Sequence, residues 1–134
     1  MLDASVVVKW YSDPADEPNQ GKALDILDDL SQDRIIVHCP DLVCYELGNV
    51  LARKSKDPAI CLESFLAAPV SLHPPDRGLL RRSLELCSKG LMFYDAAYIA
   101  LAESMNHPLV SADGNQLRRA GTFGIPLERY VHGR

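Results

Sequence analysis

Along this chain, short apolar runs alternate with stretches in which apolar residues return every three or four positions. The first pattern predicts buried strands and the second amphipathic helices. A polar loop with two prolines, Ser12 to Pro18, precedes a helix with Ala23, Leu24, Leu27 and Leu30 as its apolar positions and Asp16 or Asn19 as its cap. Ile35-Ile36-Val37 reads as a buried strand ended by Pro40. Asp41 then caps a helix whose inner face is Val43, Leu47, Val50 and Leu51. Asp57-Pro58 opens another helix, which ends before Pro69. Val70-Ser71-Leu72 is a short strand. Leu79, Leu80, Leu84 and Cys87 mark a helix that stops at Gly90. Tyr94 to Met105 is an alanine-rich helix, Leu109 to Ala112 a strand, and Asn115 to Ala120 a short helix. Ile125-Pro126-Leu127 closes the pattern as a proline-marked edge strand. Propensity alone makes Val6-Val7-Val8 a strand as well.

Strands alternating with helices predict an α/β fold with a parallel sheet and right-handed crossovers. With 134 residues, the chain is expected to form one domain over 1–134. Its apolar share of 47% is enough for a core and excludes the disordered class. No apolar run approaches the roughly 18 to 20 residues of a membrane span, and the start has no basic segment or cleavage signal. Cys39, Cys44, Cys61 and Cys87 form no zinc-type spacing with one another or with the four histidines. They read as small buried hydrophobes of a reducing, cytoplasmic protein, although a disulfide pair stays open. A net charge of −4 argues against a purely electrostatic nucleic-acid binder.

Most of the 18 carboxylates read as solvated surface, among them Asp25, Asp28 and Asp29 on the polar side of a helix. Four differ. Asp113 directly follows the strand-like Leu109 to Ala112, Asp3 follows Met1-Leu2 and precedes an apolar run, and both fit the carboxyl ends where parallel α/β sheets bind ligands. Glu46 and Asp95 lie near helix starts that reach the same rim. Each has a plainer reading: Asp113 as a helix cap, Asp95 as a partner of the helix dipole, Glu46 in a surface ion pair, Asp3 at a loose terminus. Convergence on one rim favours a shared role. Clustered carboxylates repel and need a cation, for which oxygen ligands suit Mg²⁺ or Mn²⁺. Such a site suits phosphodiester hydrolysis, since a metal polarises phosphate and activates water.

Four segments carry these residues in order: Leu2-Asp3-Ala4-Ser5-Val6-Val7-Val8-Lys9-Trp10, Tyr45-Glu46-Leu47-Gly48-Asn49-Val50-Leu51, the run from Tyr94-Asp95-Ala96-Ala97 to Ala102, and Leu109-Val110-Ser111-Ala112-Asp113. Together they resemble a PIN-domain ribonuclease, and more closely the VapC-type toxins of bacterial toxin–antitoxin pairs, from Leu2 to about Leu127. The resemblance implies a three-layer α/β/α domain with a central parallel sheet of four to five short strands. It implies that Asp3, Glu46, Asp95 and Asp113 hold one or two Mg²⁺ or Mn²⁺ ions, with Ser5 and Ser111 in support. By the same likeness Val6 to Trp10 is a short helix. Homodimerisation and silencing by a small antitoxin protein also follow from it. Two departures stand out: only Met1 and Leu2 precede Asp3, and Gly114-Asn115-Gln116 occupies the place where some relatives carry a further acid. Asn115 there would accept a water or donate to phosphate.

The expected activity is that of a metal-dependent endoribonuclease acting through a metal-activated water, with Lys9, Arg118 and Arg119 as candidate cations for the RNA strand. The alternative is a PIN-like module that binds RNA or protein without cutting. Other metal-carboxylate classes fit less well. A haloacid-dehalogenase phosphatase needs a second aspartate where Ser5 stands, and a receiver domain needs a lysine after a late strand, while none follows Asp113. No phosphate-binding glycine loop is present. Setting the four rim carboxylates aside leaves acids and bases in balance, with four arginines from Arg118 onward. The surplus negative charge thus belongs to the metal site, and RNA binding is expected to depend on metal.

Overall fold

The structure is a computed structural model that describes residues 1–133, without the side chain of Asp16. Arg134, one of the four arginines of the basic C-terminal stretch, lies outside the described residues, as does any capping by the Asp16 side chain. In chain order the elements are α1 (Ala4–Val7), α2 (Gln20–Ser31), β1 (His38–Pro40), α3 (Val43–Lys54), α4 (Pro58–Ala67) and β2 (Ser71–His73). Next come α5 (Arg77–Cys87), α6 (Phe93–Met105), β3 (Leu109–Ser111), α7 (Gly114–Ala120) and β4 (Gly124–Pro126). Short 3₁₀ turns lie at Val8–Tyr11, Pro14–Asp16, Gly121–Phe123 and Leu127–Arg129. No helix of the described residues is long and apolar enough to cross a membrane.

All strand pairing is parallel. His38 is opposite Ser71 in the β1–β2 pair, and Leu109 is opposite Gly124 in the β3–β4 pair. Between the pairs runs Met1–Asp3. Leu2 bridges Val110, its N–H donates to the His38 carbonyl, and the Asp3 N–H donates to the Val110 carbonyl. The α/β class holds, but regular strands pair two by two rather than forming one sheet of four or five. The segment before Asp3 contributes a single bridge, too little to count as a strand. Helix α6 packs on β1 and β3, and α7 on β3 and β4.

Val6 to Trp10 is helical, against its β propensity. Asp3 caps the turn by accepting from the Ser5 N–H, and Val6 and Val7 are fully buried by it. Core burial at helical spacing outweighs a weak local preference. Trp10 anchors the following turn by donating from its ring to the Ala23 carbonyl at 2.7 Å.

Several expected boundaries and faces move. The first central strand is His38–Pro40, not Ile35–Val37, because Ile36 points to solvent. Helix α3 starts at Val43 with Leu42 as cap; Asp41 offers only its carbonyl, to the Cys44 N–H. Helix α2 is entered through Asn19 in the left-handed region. Its buried face is Ala23, Ile26, Asp29 and Leu30, while Leu24 is exposed. In α5 the buried stripe is Leu79, Ser83 and Leu86, so Leu80 and Leu84 face outward. The largest correction is Asp29, which is buried where the helix pattern predicts a solvated acid. Its carboxylate accepts from the Tyr130 hydroxyl and the Gly133 N–H and pairs with Arg34. Burial works against its charge, but these donors hold its carboxyl well below the usual carboxylate range. All four cysteines are free thiols, Cys39 fully buried.

Candidate active site

Each of the four carboxylates is placed by the end of an extended segment or the start of a helix. Asp3 ends the extended Met1–Asp3 segment and caps α1; Asp113 follows β3 and caps α7. Glu46 and Asp95 lie in the first turns of α3 and α6. Carboxyl ends of extended segments and N-terminal turns of helices therefore meet at one rim, as a parallel arrangement requires.

Asp3 is 4% exposed. Its Oδ2 accepts from the Ser5 N–H at 2.9 Å, and its Oδ1 accepts from Gln116 Nε2 at 2.9 Å. Asp113 Oδ1 accepts from the N–H groups of Asn115 and Gln116. The capping reading of Asp113 is therefore correct, yet its Oδ2 has no hydrogen-bond partner among the described residues. Glu46 Oε1 accepts from the Tyr98 hydroxyl at 2.7 Å. The Asp95 side chain makes no hydrogen bond among the described residues, and none of the four carboxylates takes part in an ion pair there.

Two serines tie the rim together. Ser5 Oγ accepts from the Ala112 N–H at 3.0 Å and lies 3.5 Å from Ser111 Oγ, which accepts from the Asp113 N–H. They link the turn after Asp3 to the end of β3.

The electrostatics record the crowding. Burial, then the charges of Asp3 and Asp95, push the Glu46 carboxyl up to about 7, against the favourable bond from Tyr98. Burial and the charges of Asp3 and Asp113 push Asp95 up to about 6. Asp3 is also raised, by burial first, although Ser5 and Gln116 oppose it. The four groups feel one another, yet no three of them bring oxygens within 4.8 Å of one another. Hard oxygen donors with no cation among them fit a divalent ion, which would draw them together. The trio that does meet that spacing, Asp28, Asp29 and His132, lies elsewhere and already has Arg34 as its cation.

The remaining expected residues divide. Asn115 is exposed beside the rim and accepts weakly from Arg118, at 3.4 Å. Arg118 and Arg119 are exposed on α7. Lys9 is a correction. It is 5% exposed and its ammonium is held by Glu17 and the Pro18 carbonyl, each at 2.9 Å, so it clamps the loop before α2 and is not free for a strand of RNA.

Sequence reasoning misses two residues of the site. Gln116 is fully buried, and its amide also reaches the Asp95 carbonyl at 3.3 Å. Its Oε1 has no hydrogen-bond partner among the described residues. Tyr98 is fully buried three positions after Asp95. The available signal is the same for both: a polar group on the inner face of a helix, one turn beyond a rim aspartate.

No curated protein matches this chain. A family model described as the PIN domain matches residues 1–122. PIN domains are generally metal-dependent nucleases, and the match spans all four carboxylates, both serines and Gln116. The chain belongs to the PIN domain family.

Proposed function

We propose that this protein is a Mg²⁺- or Mn²⁺-dependent endoribonuclease, the toxin of a toxin–antitoxin pair. The observation that carries this reading is the set of Asp3, Glu46, Asp95 and Asp113 at one rim, three of them pushed toward protonation and none with a cation partner among the described residues. These four residues would hold one or two ions, which would supply charge neutralisation at the phosphate and acidity to the attacking water. Ser5 and Gln116 keep the Asp3 carboxylate in one orientation. Tyr98 fixes Glu46 by donating to its Oε1, and burial with the neighbouring charges leaves that carboxyl in need of a cation to stay ionised at physiological pH. Arg118 and Arg119 would meet the RNA backbone.

A small antitoxin and a second copy of the chain are the expected partners. Support comes from helix α4, whose Ile60 and Leu66 face outward at 70% and 51% exposure. Incubating purified protein with RNA and Mg²⁺ or Mn²⁺ tests the activity. Cleavage leaving 5′-phosphate and 3′-hydroxyl ends is expected, with loss by EDTA and by at least about a hundredfold in Asp95→Asn. RNA left intact by well-folded, antitoxin-free protein would point instead to a non-cleaving binding module.

A further inference from the structure

A cleft opens beside Glu46, about 540 Å³ in volume, within the range of small-ligand sites. Glu46 and Ser5 are among its lining residues, so it adjoins the candidate active site. Tyr45 from α3 and Tyr94 from α6 also line it, each one residue before a rim carboxylate. These rings are 82% and 57% exposed. Neither is stacked on another aromatic ring among the described residues. Val8 and Val50 add apolar surface to the lining, and Asn49 brings one amide. Among the described residues no lysine or arginine lines the cleft.

This lining selects for a particular chemistry. A phosphate would meet Glu46 with no compensating cation. A flat, uncharged, aromatic group would meet two exposed, unstacked aromatic rings and an amide able to donate and accept. Unpaired RNA bases have that character, and proteins hold them by stacking on aromatic rings.

We propose that the cleft takes up one unpaired nucleobase of the substrate strand, next to the phosphate being cut, with Tyr45 and Tyr94 as stacking surfaces and Asn49 reading its edge. This rests on the nuclease reading. It makes the two tyrosines positioning residues that draw a single strand across the rim, and it excludes paired RNA, whose bases are not free to enter.

The test couples protein and substrate changes. A short mixed-sequence single-stranded oligoribonucleotide carrying a fluorophore is titrated with full-length Asp95→Asn protein in Mg²⁺, and binding is read by anisotropy. A scan replaces each base by an abasic site. Tyr45→Ala and Tyr94→Ala are each expected to weaken binding of the intact strand about tenfold, the scale of one lost stacking contact. One abasic position should weaken it similarly, and that loss should vanish in the alanine variants. Tyr45→Phe and Tyr94→Phe should bind as the parent does. In the cleaving protein the alanine variants should raise KM and leave kcat nearly unchanged. Both rings are exposed, so the fold should tolerate these changes. Additive abasic and alanine effects, or no effect of either alanine, would overturn the proposal and leave the cleft to an apolar protein segment. If RNA stays uncut by the parent chain while the coupling is seen, the nuclease reading fails and the base pocket stands. If RNA is cut without the coupling, the base pocket fails and the nuclease reading stands.

Discussion

Replacing Asp95 by Asn should make the metal-free protein more stable at neutral pH. The side chain makes no hydrogen bond among the described residues, so the change removes charge and little else. Burial and the charges of Asp3 and Asp113 raise its carboxyl from 3.8 to about 6. At about 1.4 kcal/mol for each unit, that shift is worth about 3 kcal/mol without solvent screening. Asp95 is only partly buried, and screening by water reduces the figure to about 1.5 kcal/mol. The sign follows from a folded value above the unfolded one. Below the unfolded value both states hold the proton and nothing is lost. As pH rises toward about 6 the unfolded chain releases its proton while the folded one keeps it, and stability falls. Above that range the loss is complete. Asp95→Asn lacks this slope, so in EDTA at neutral pH its Tm should exceed the parent's by about 5 °C. The two should converge in acid. Adding Mg²⁺ should raise the parent's Tm by mass action and the variant's much less. Calorimetric scans across pH, with and without Mg²⁺, measure both effects. A metal-free variant no more stable than the parent at neutral pH would refute the picture of a repelling carboxylate set.

Gln116→Glu should lower the metal-free Tm by placing another acid against Asp3, and Mg²⁺ should narrow the deficit; Gln116→Leu should weaken Mg²⁺ binding about tenfold by calorimetric titration. Tyr98→Phe removes the donor that stabilises ionised Glu46, so the acid limb of the kcat/KM profile should move to higher pH, at a stability cost of about 1 to 2 kcal/mol in urea unfolding. Asp29→Asn should lower Tm and expose the segment around Tyr130 to proteases, read by the cleavage pattern of the folded protein. His38 is depressed by burial and by His73 and His107, so stability should fall as pH drops below about 6.5; unfolding midpoints measured from neutral to mildly acidic pH should show this slope, and His38→Gln should flatten it.

Much of the site is legible in the sequence because strand ends and helix starts leave marks there. A short β-branched or apolar run followed or preceded by an acid locates Asp3 and Asp113, and an alanine-rich period locates Asp95 on its helix. What stays hidden depends on which of several equivalent residues the core selects. Leu24 and Ile26 are equally apolar, yet only Ile26 turns inward. Likewise Leu86, not Leu84, completes the buried stripe of α5. Charges are harder still. Asp29 looks solvated in sequence because its partners, Tyr130 and Gly133, are more than a hundred positions away. Lys9 sits near Asp3 in sequence but turns to Glu17. Gln116 and Tyr98 escape because a polar residue on an inner helix face has no pattern of its own until its partner is placed.

The bond between Gln116 and Asp3 spans 113 positions, and Met1–Asp3 is paired with β3. Contacts of such long range form late, after the intervening chain has closed a costly loop. During synthesis the first residues emerge early and wait for β3 and α7 before the four carboxylates share a rim. A nascent chain therefore carries no assembled carboxylate centre until β3 and α7 have been made. For the RNA-cutting activity proposed above, that order of assembly protects the messenger and ribosome still producing the chain.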